Sequence, residues 1–261
     1  MLKLIQDMIG AENVLHEHDA AALYPCPSQV HTEIMAVLRP RSTEHVQKIV
    51  KWANENKVAL YPLSTGKNWG YGGGNPACEQ SVIVDMGAFK TIKFFDRELG
   101  LVTIEPGVSQ GMLYQFLEEH KHPFYVPVTG SSPDCSLIGN ALERGYGVTP
   151  TTNHFYAVQT IKTVLPDGTL YHGLLSELME QEHAALGKWG AGPYTDGLFA
   201  QSNFGIVIEA TIQLVRKSDE QTMIFFEPKN GSFEKAVNAA RQLMESNEGA
   251  IASVKFFNQY Y

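Results

Sequence analysis

Apolar and polar positions in the first part of the chain repeat with two different periods, which predict strands and helices in turn. Residues 34–38 form a short apolar run that Pro40 closes. Ser42 then stands where a helix cap is expected, and the apolar residues after it recur every three or four positions, as on one face of a helix. Runs at 58–61 and 81–85 predict two more strands. The pattern predicts a β-α-β unit, in which a ligand binds where a strand ends.

A second set of elements follows. Residues 101–104 are predicted to form a strand, and Ser109 to cap a helix that turns apolar residues inward. Strands at 159–165 and 169–172 flank a Pro-Asp-Gly turn, and a last strand is predicted at 205–215.

After residue 220 the pattern starts afresh. A strand is predicted at 223–226, a helix from Ser232, and a second strand at 250–257. A unit with so few strands cannot bury its apolar faces alone. We therefore expect this part of the chain to need a neighbour.

The stretch 62–76 reads Pro-Leu-Ser-Thr-Gly-Lys-Asn-Trp-Gly-Tyr-Gly-Gly-Gly-Asn-Pro, with five glycines between positions 66 and 74. Glycine adopts positive φ, and successive N–H groups in such a turn form a concavity that binds anions. The net charge of −8 would repel a phosphate compound, so recognition has to be local, through these N–H groups and Lys67. The spacing matches neither a Walker P-loop nor the G-x-G-x-x-G fingerprint, and a plain structural turn is the alternative interpretation.

Composition narrows the class of protein. The 261 residues allow one large or two ordinary domains, and 44% apolar with 18% charged residues is typical of a soluble globular protein. No apolar run reaches the length of about 18 residues that a membrane helix needs, and the acidic balance argues against nucleic acid as a partner. Cys26, Cys78 and Cys135 are scattered, and the N-terminus turns polar too early for a secretory signal. We predict reduced thiols, a cytoplasmic location and, since no histidine pair has a third ligand at suitable spacing, no metal site.

Four stretches decide the interpretation: 62–76, 105–108, 136–154 and 190–207. The third and fourth contain G-N-A-L-E-R-G-x-G and G-P-Y-x-D-G-L-F-x-Q-S-N-F-G-I-V. In this order and spacing, they closely resemble the FAD-binding domain of the vanillyl-alcohol oxidase and p-cresol methylhydroxylase flavoprotein family. The resemblance is nearest to the 4-cresol dehydrogenase and vanillyl-alcohol oxidase branch.

The resemblance implies an α+β fold, the two-subdomain FAD-binding fold of the p-cresol methylhydroxylase type, followed by the start of a ferredoxin-like cap. It divides the chain into a helical lead-in (1–32), an FAD-binding domain (33–217) and an incomplete cap or substrate domain (221–261). In this family the cap supplies half of the active site. We therefore expect a homodimer or a partner chain that completes the cap, and neither a membrane nor nucleic acid as partner.

The resemblance also implies the cofactor, FAD, and the residues that contact it. In the family the loop at 64–68 wraps the pyrophosphate with N–H groups, and each hydrogen bond to a charged group contributes roughly 1.5–3 kcal/mol. Lys67 stands where some relatives attach the flavin through a histidine, so we predict no covalent attachment there. The predicted cofactor-binding residues are Pro62, Ser64, Thr65, Gly66, Lys67, Asn68, Glu105, Pro106, Gly130, Ser131, Ser136, Gly139, Asn140, Gly145, Gly147, His154, Gly205, Ile206 and Val207.

The predicted catalytic residue is Tyr71, which aligns with a tyrosine that hydrogen-bonds the substrate phenolate in the phenol-oxidising branch; packing over the glycine loop is the alternative. The resemblance then implies hydride transfer from a para-alkylphenol-like small molecule to flavin N5, once a cap is present. Ser131 stands where vanillyl-alcohol oxidase has an active-site aspartate, which Asp134 could replace, and Val148 replaces a common aromatic residue. Three other functions stay open: a non-catalytic flavin-binding module, a subunit of a split flavoenzyme, and an oxidase of a non-phenolic alcohol or hydroxy acid.

Overall fold

The computed structural model describes residues 2–16, 23–24, 32–67, 73–147, 150–227 and 232–258. The strands are β1 (Val14–His16), β2 (Ile34–Leu38), β3 (Leu60–Leu63), β4 (Ser81–Asp85), β5 (Ile92–Asp96), β6 (Leu101–Ile104), β7 (Phe124–Tyr125), β8 (Val158–Val164), β9 (Leu170–Tyr171), β10 (Ile206–Gln213) and β11 (Val215–Arg216). The helices are α1 (Leu2–Ile9), α2 (Thr43–Asn56), α3 (Gln110–Glu119), α4 (Leu137–Leu142), α5 (His154–Ala157), α6 (Leu174–Leu178), α7 (Gln181–Ala184) and α8 (Phe233–Ser246), with 3-10 helices at Ala11–Asn13 and Asp196–Phe199. None of these helices is long and apolar enough to cross a membrane.

The first half of the fold is a four-stranded sheet of order β1-β2-β4-β3, in which β2, β4 and β3 are parallel and β1 is antiparallel at the edge. The connection from β2 through α2 to β3 is the predicted β-α-β unit. α2 starts at Ser42, whose hydroxyl accepts the His45 N–H at 3.3 Å, and ends at Lys57 in the left-handed region. Its buried face packs with α1 against the sheet in one core, which includes Ile5 and Trp52.

The second half is a five-stranded antiparallel sheet of order β5-β6-β10-β8-β9. β8 and β9 meet at the predicted turn, where Gly168 has φ +81° and donates its N–H to Leu165 O at 2.8 Å. Residues of α3, which Ser109 caps, and of α4 pack with this sheet in a second core. Ile208 of β10 belongs to the first core and Val207 to the second. Strand β10 therefore connects the two halves.

The C-terminal part differs from the prediction. α8 begins at the expected cap, with the Ser232 hydroxyl accepting the Lys235 N–H at 3.2 Å. The predicted strands at 223–226 and 250–257 are wrong, because neither segment pairs as a strand. A strand needs a neighbour for its backbone groups, and no described strand lies alongside either segment. Apolar side chains here stay exposed, as at Phe225, which is 82% exposed.

Candidate cofactor-binding site

The glycine-rich loop leaves the first sheet at the end of β3, which includes Pro62 and pairs with the end of β4. Gly66 has φ +67°, the left-handed region that favours glycine, and only a Leu63 methyl lies within 4 Å of where its side chain would begin. Among the described residues, no acceptor takes the N–H groups of Thr65, Gly66 or Lys67. These donors lie in a partly buried loop, which suits an anion.

The same loop contacts the start of α4. The Ser136 N–H donates to the Thr65 hydroxyl at 3.1 Å, and a side chain at Gly139 would come within 2.6 Å of Ser64 Oγ. The Ser136 hydroxyl donates to Pro106 O at 2.6 Å and accepts the Gly139 N–H at 2.9 Å. Three of the four stretches singled out in the sequence, 62–76, 105–108 and 136–154, therefore meet here. Only glycine fits at position 139, where they meet.

His154 forms the second part of the cluster. Its imidazole is 3% exposed, and Nδ1 contacts the side-chain oxygen of Asn140. Burial lowers the pKa of His154, although a hydrogen bond with the Thr151 backbone acts in the opposite direction, and the lowered pKa favours the neutral ring at pH 7. With the Asn140 oxygen as acceptor, Nδ1 carries the proton and Nε2 is an acceptor. Nε2 has no hydrogen-bond partner among the described residues. Side chains at Gly145 and Gly147 would clash with Asn140 and with His154 Nε2, respectively, so this turn also requires glycine.

The loop before α4 contains Gly130 and Ser131. No atom lies within 4 Å of where a Gly130 side chain would begin, so this position is open. The Ser131 hydroxyl accepts the Cys135 thiol at 3.0 Å, and its N–H donates to the Thr129 hydroxyl at 3.0 Å. The buried side chain of Gln110 holds the loop by accepting the Thr129 N–H at 3.1 Å. Ser131 is thus turned towards its own loop.

The remaining predicted residues lie apart from this cluster. The Glu105 carboxylate accepts the Thr91 N–H at 2.9 Å and pairs with Lys93 at 3.2 Å. The part of Glu105 near α4 is therefore its backbone, next to Pro106, and not its side chain. Gly205 precedes β10, and Ile206 and Val207 begin this strand against β8. No hydrogen bond among the described residues joins them to the loop or α4, although Val207 belongs to the core to which α4 also contributes. Lys67 is exposed, and Asn68 and Tyr71 lie outside the described residues.

A polar triad at the same sheet edge was not predicted from the sequence. The Tyr24 hydroxyl contacts the Asp85 carboxylate and accepts from Arg39 Nη2 at 3.1 Å, while Arg39 pairs with Asp85 at 3.4 Å. Burial raises the pKa of Tyr24 to about 12, so the phenol stays protonated. Asp85 also accepts the Gly87 N–H at 2.8 Å, and a side chain at Gly87 would come within 3.1 Å of Ser64 O. The triad thus supports the base of the glycine-rich loop.

Counting only the described residues, the cluster offers N–H donors without an acceptor, a neutral imidazole and an open position at Gly130. Within the described ranges, no group of three or more His, Cys, Asp or Glu side chains could hold a metal ion. Local anion recognition without a metal fits the pyrophosphate of a dinucleotide, since N–H groups suffice to bind it. The arrangement defines an α+β domain with a candidate dinucleotide-binding site where the loop after β3 meets the start of α4.

Comparison with known proteins names the family. A family profile described as "FAD binding domain" matches residues 34–173, so the chain belongs to this family of FAD-binding domains. It is 32% identical to 1'-carboxy-chondrochloren decarboxylase of Chondromyces crocatus over 99% of this chain and 48% of the relative. It is also 32% identical to the 4-cresol dehydrogenase [hydroxylating] flavoprotein subunit of Pseudomonas putida, over 92% of this chain and 47% of the relative.

The fold matches a solved p-cresol methylhydroxylase with substrate bound, at a TM-score of 0.77 and 31% identity, over 83% of this chain and 43% of that chain. The predicted p-cresol methylhydroxylase-type fold and the predicted cofactor, FAD, are confirmed. The chain is a member of an oxidoreductase family that resembles 4-cresol dehydrogenase, and it spans about half the length of the relatives it matches.

Proposed function

We propose that the loop at 64–67 binds the FAD pyrophosphate and that the start of α4 binds the part of FAD next to it. The observation that carries this proposal is the direct contact between loop and helix, the 3.1 Å hydrogen bond from Ser136 N–H to the Thr65 hydroxyl. This hydrogen bond holds the loop in a conformation in which no described acceptor takes the N–H groups of residues 65–67. Donors that are already oriented need no reorganisation when the anion binds.

His154 would serve the ring end of the site. When bound, FAD supplies a ring that accepts a hydride. The contact with Asn140 orients the imidazole, and its buried, unpartnered Nε2 is an acceptor for an N–H or O–H group of a bound molecule. The glycines at 145 and 147 allow the chain to pass close to both side chains.

We propose a para-alkylphenol-like substrate and assign Tyr71 to its phenolate. The support is the likeness to 4-cresol dehydrogenase and p-cresol methylhydroxylase. A phenol O–H beside the substrate oxygen stabilises the ionised form, which favours hydride loss from the benzylic carbon of the para-alkyl group. If the rate of flavin reduction by 4-cresol, slow as it is in this chain alone, is unchanged in Tyr71→Phe, this assignment fails.

We also propose the division into lead-in, FAD-binding domain (33–217) and cap segment (221–261). The cap segment has an amphipathic helix, α8, without a buried residue, and its exposed apolar side chains include Phe226, Phe233 and Phe257. Large exposed apolar patches mark interaction sites. We therefore propose that a second copy or a partner chain covers this surface and completes the active site, and that this chain alone turns over 4-cresol very slowly. Light scattering that gives a clean monomer would contradict the association, and fast turnover would contradict the need for a cap.

The FAD site is tested by Thr65→Val, which removes the hydroxyl that accepts the Ser136 N–H with little change in shape. We expect FAD affinity to fall about tenfold, since one hydrogen bond contributes about 0.5–1.5 kcal/mol and 1.4 kcal/mol is tenfold. Thr103→Val is the control, because it also removes a hydrogen-bonded threonine hydroxyl, one that bonds Thr211 at 2.9 Å away from the loop, in a more deeply buried position than Thr65. Equal FAD affinity in the two variants, measured by quenching of FAD fluorescence, would remove the proposed site.

A non-phenolic alcohol or a hydroxy acid is the second candidate substrate. The observation that favours it is Ser131, which stands where vanillyl-alcohol oxidase has an active-site aspartate and whose hydroxyl accepts a hydrogen bond from the Cys135 thiol. Stopped-flow reduction of the FAD-loaded protein by 4-cresol, by vanillyl alcohol and by a 2-hydroxy acid separates the candidates. If only the hydroxy acid reduces the flavin, the phenol proposal is wrong.

A further inference from the structure

Lys188 lies in a cage of four aromatic side chains. Its Nζ is 4.7 Å from the ring centre of Tyr156, 5.3 Å from Trp189 and 5.8 Å from Tyr194, with Phe155 at 6.0 Å. The rings also contact one another, with the centres of Trp189 and Tyr194 5.0 Å apart. An ammonium over aromatic faces is attracted by them. The cage therefore holds the end of a flexible side chain in one place.

The Lys188 ammonium also contacts one particular turn of the chain. It donates to Phe155 O at 3.4 Å and to Tyr156 O, both in α5. α5 is a single turn, whose last C=O groups have no partner within the helix and form its negative end. Its first residue is His154, the buried imidazole of the candidate site. One ammonium is thus bonded to the turn that carries this imidazole.

The charge is kept in an environment that disfavours it. Burial lowers the pKa of Lys188 to about 8, although the nearby Asp196 carboxylate acts in the opposite direction. The other titratable groups here are Tyr156 of α5, Tyr194, and Tyr171 of β9, which donates to Asp196 at 2.5 Å. Because the folded pKa lies below the ordinary value, the folded state binds fewer protons between about pH 8 and 10.5, and the charged lysine lowers stability below pH 8. An apolar residue would avoid this cost, so stability alone does not account for the lysine.

We propose that Lys188 is a positioning residue: its caged ammonium holds the turn at 153–157 and thereby keeps the His154 imidazole against Asn140 and Gly147. This inference rests on the proposed function in one respect: it takes His154 to be part of the flavin-binding site. The holding of the turn itself is a property of the chain without FAD, and it can be measured without FAD.

The test compares Lys188→Met, which keeps the apolar stem and loses the charge, with Lys188→Arg, which keeps charge and donors. Lys48→Met is the matched control, because Lys48 Nζ also donates to a backbone carbonyl, Met8 O at 3.3 Å, but lies on α2. Amide hydrogen exchange of residues 153–158 in the FAD-free protein is the first measurement, normalised to the amides of α2. The second is FAD affinity between pH 6.5 and 9.

We expect Lys188→Met to speed exchange at 153–158 at least tenfold at pH 7 and to weaken FAD binding about tenfold, without lowering the melting temperature. Lys188→Arg and Lys48→Met should behave as the wild type. In the wild type, normalised exchange at 153–158 should not rise as the pH passes about 8, because the folded pKa lies below the ordinary value and the neutral amine still donates an N–H to the turn. Exchange at 153–158 in Lys188→Met should stay fast across this pH range.

Unchanged exchange at 153–158 in Lys188→Met would overturn the proposal, as would a Lys188→Arg variant that exchanges as fast as Lys188→Met. If Lys188→Met loses its fold, exchange rises everywhere, and Lys188→Gln, whose shorter side chain cannot reach the α5 carbonyls, then takes its place. Faster exchange with no FAD binding by any variant would support the holding of the turn and refute the proposed function instead. The two failures are therefore distinguishable.

Discussion

Replacing Gly147 by alanine should damage both the fold and FAD binding, because the space beside it is already filled. A methyl group there would clash with His154 Nε2 and come within 2.5 Å of Val128 O. The carbonyl belongs to the backbone, so it cannot turn away as a side chain could. Gly130→Ala is the matched control, since no atom lies within 4 Å of its new methyl group.

Overpacking of this kind costs about 1–3 kcal/mol. In a chain of this size each kcal/mol shifts the melting temperature by roughly 2–4 °C, so Gly147→Ala should melt about 2–12 °C lower than the wild type. Gly130→Ala should stay within about 0.5 kcal/mol of the wild type, as surface substitutions usually do. Displacement of His154 should also weaken FAD binding in Gly147→Ala.

The assay is thermal unfolding of the FAD-free proteins, followed by titration with FAD. Gly147→Ala with wild-type melting temperature and wild-type FAD affinity would refute the packing argument. A Gly130→Ala variant that melts normally but binds FAD poorly would have a different meaning: it would indicate that the open space at Gly130 is occupied by the cofactor.

Three further outcomes are expected. Gly66→Asp should abolish measurable FAD binding, because it puts a carboxylate among the free N–H donors at a φ of +67°; unchanged affinity would misplace the phosphate site. Bound flavin should be released by acid, since Lys67 stands where a histidine would attach it, and flavin fluorescence on denatured protein in a gel would contradict this. Tyr194→Phe should stabilise the fold by about 1 kcal/mol, because the Tyr194 hydroxyl is buried with no partner among the described residues. Tyr171→Phe should instead destabilise the fold, because it removes the donor to Asp196. Equal melting temperatures of the two variants would contradict both expectations.

The capped helices α2, α3 and α8 and the parallel strands of the first sheet could be predicted because their signals are local. Helix caps at Ser42, Ser109 and Ser232 mark the first turn, and each hydroxyl accepts an N–H three residues later. The loop at 62–76 is also a local signal. By contrast, β1 has only three residues and exists because it pairs with β2, which no short pattern reveals.

The strand predictions at 223–226 and 250–257 are wrong for the same reason, because a strand depends on a partner elsewhere in the chain. Their residues suit a strand, but a strand forms only beside a partner. Contacts within the site are equally non-local: Thr65 and Ser136 are 71 positions apart, and Tyr24 and Asp85 are 61 apart. Lys188 is 33 and 32 positions from Phe155 and Tyr156, whose carbonyl groups it contacts. Such pairs follow from the fold and could not be read from spacing.

The position of the candidate site between the two halves leads to a last prediction. The loop at 64–67 leaves the four-stranded sheet, whereas α4 and α5 contribute residues to the second core, so a molecule bound to both should link the halves. A ligand present at one hundred times its dissociation constant stabilises the native state by about 2.7 kcal/mol, which is roughly 5–11 °C in melting temperature. Because both halves must be folded to bind, FAD should slow hydrogen exchange in β4 as well as in α4. Slower exchange in α4 alone would mean that the glycine-rich loop does not take part in binding, however well its donors suit a phosphate.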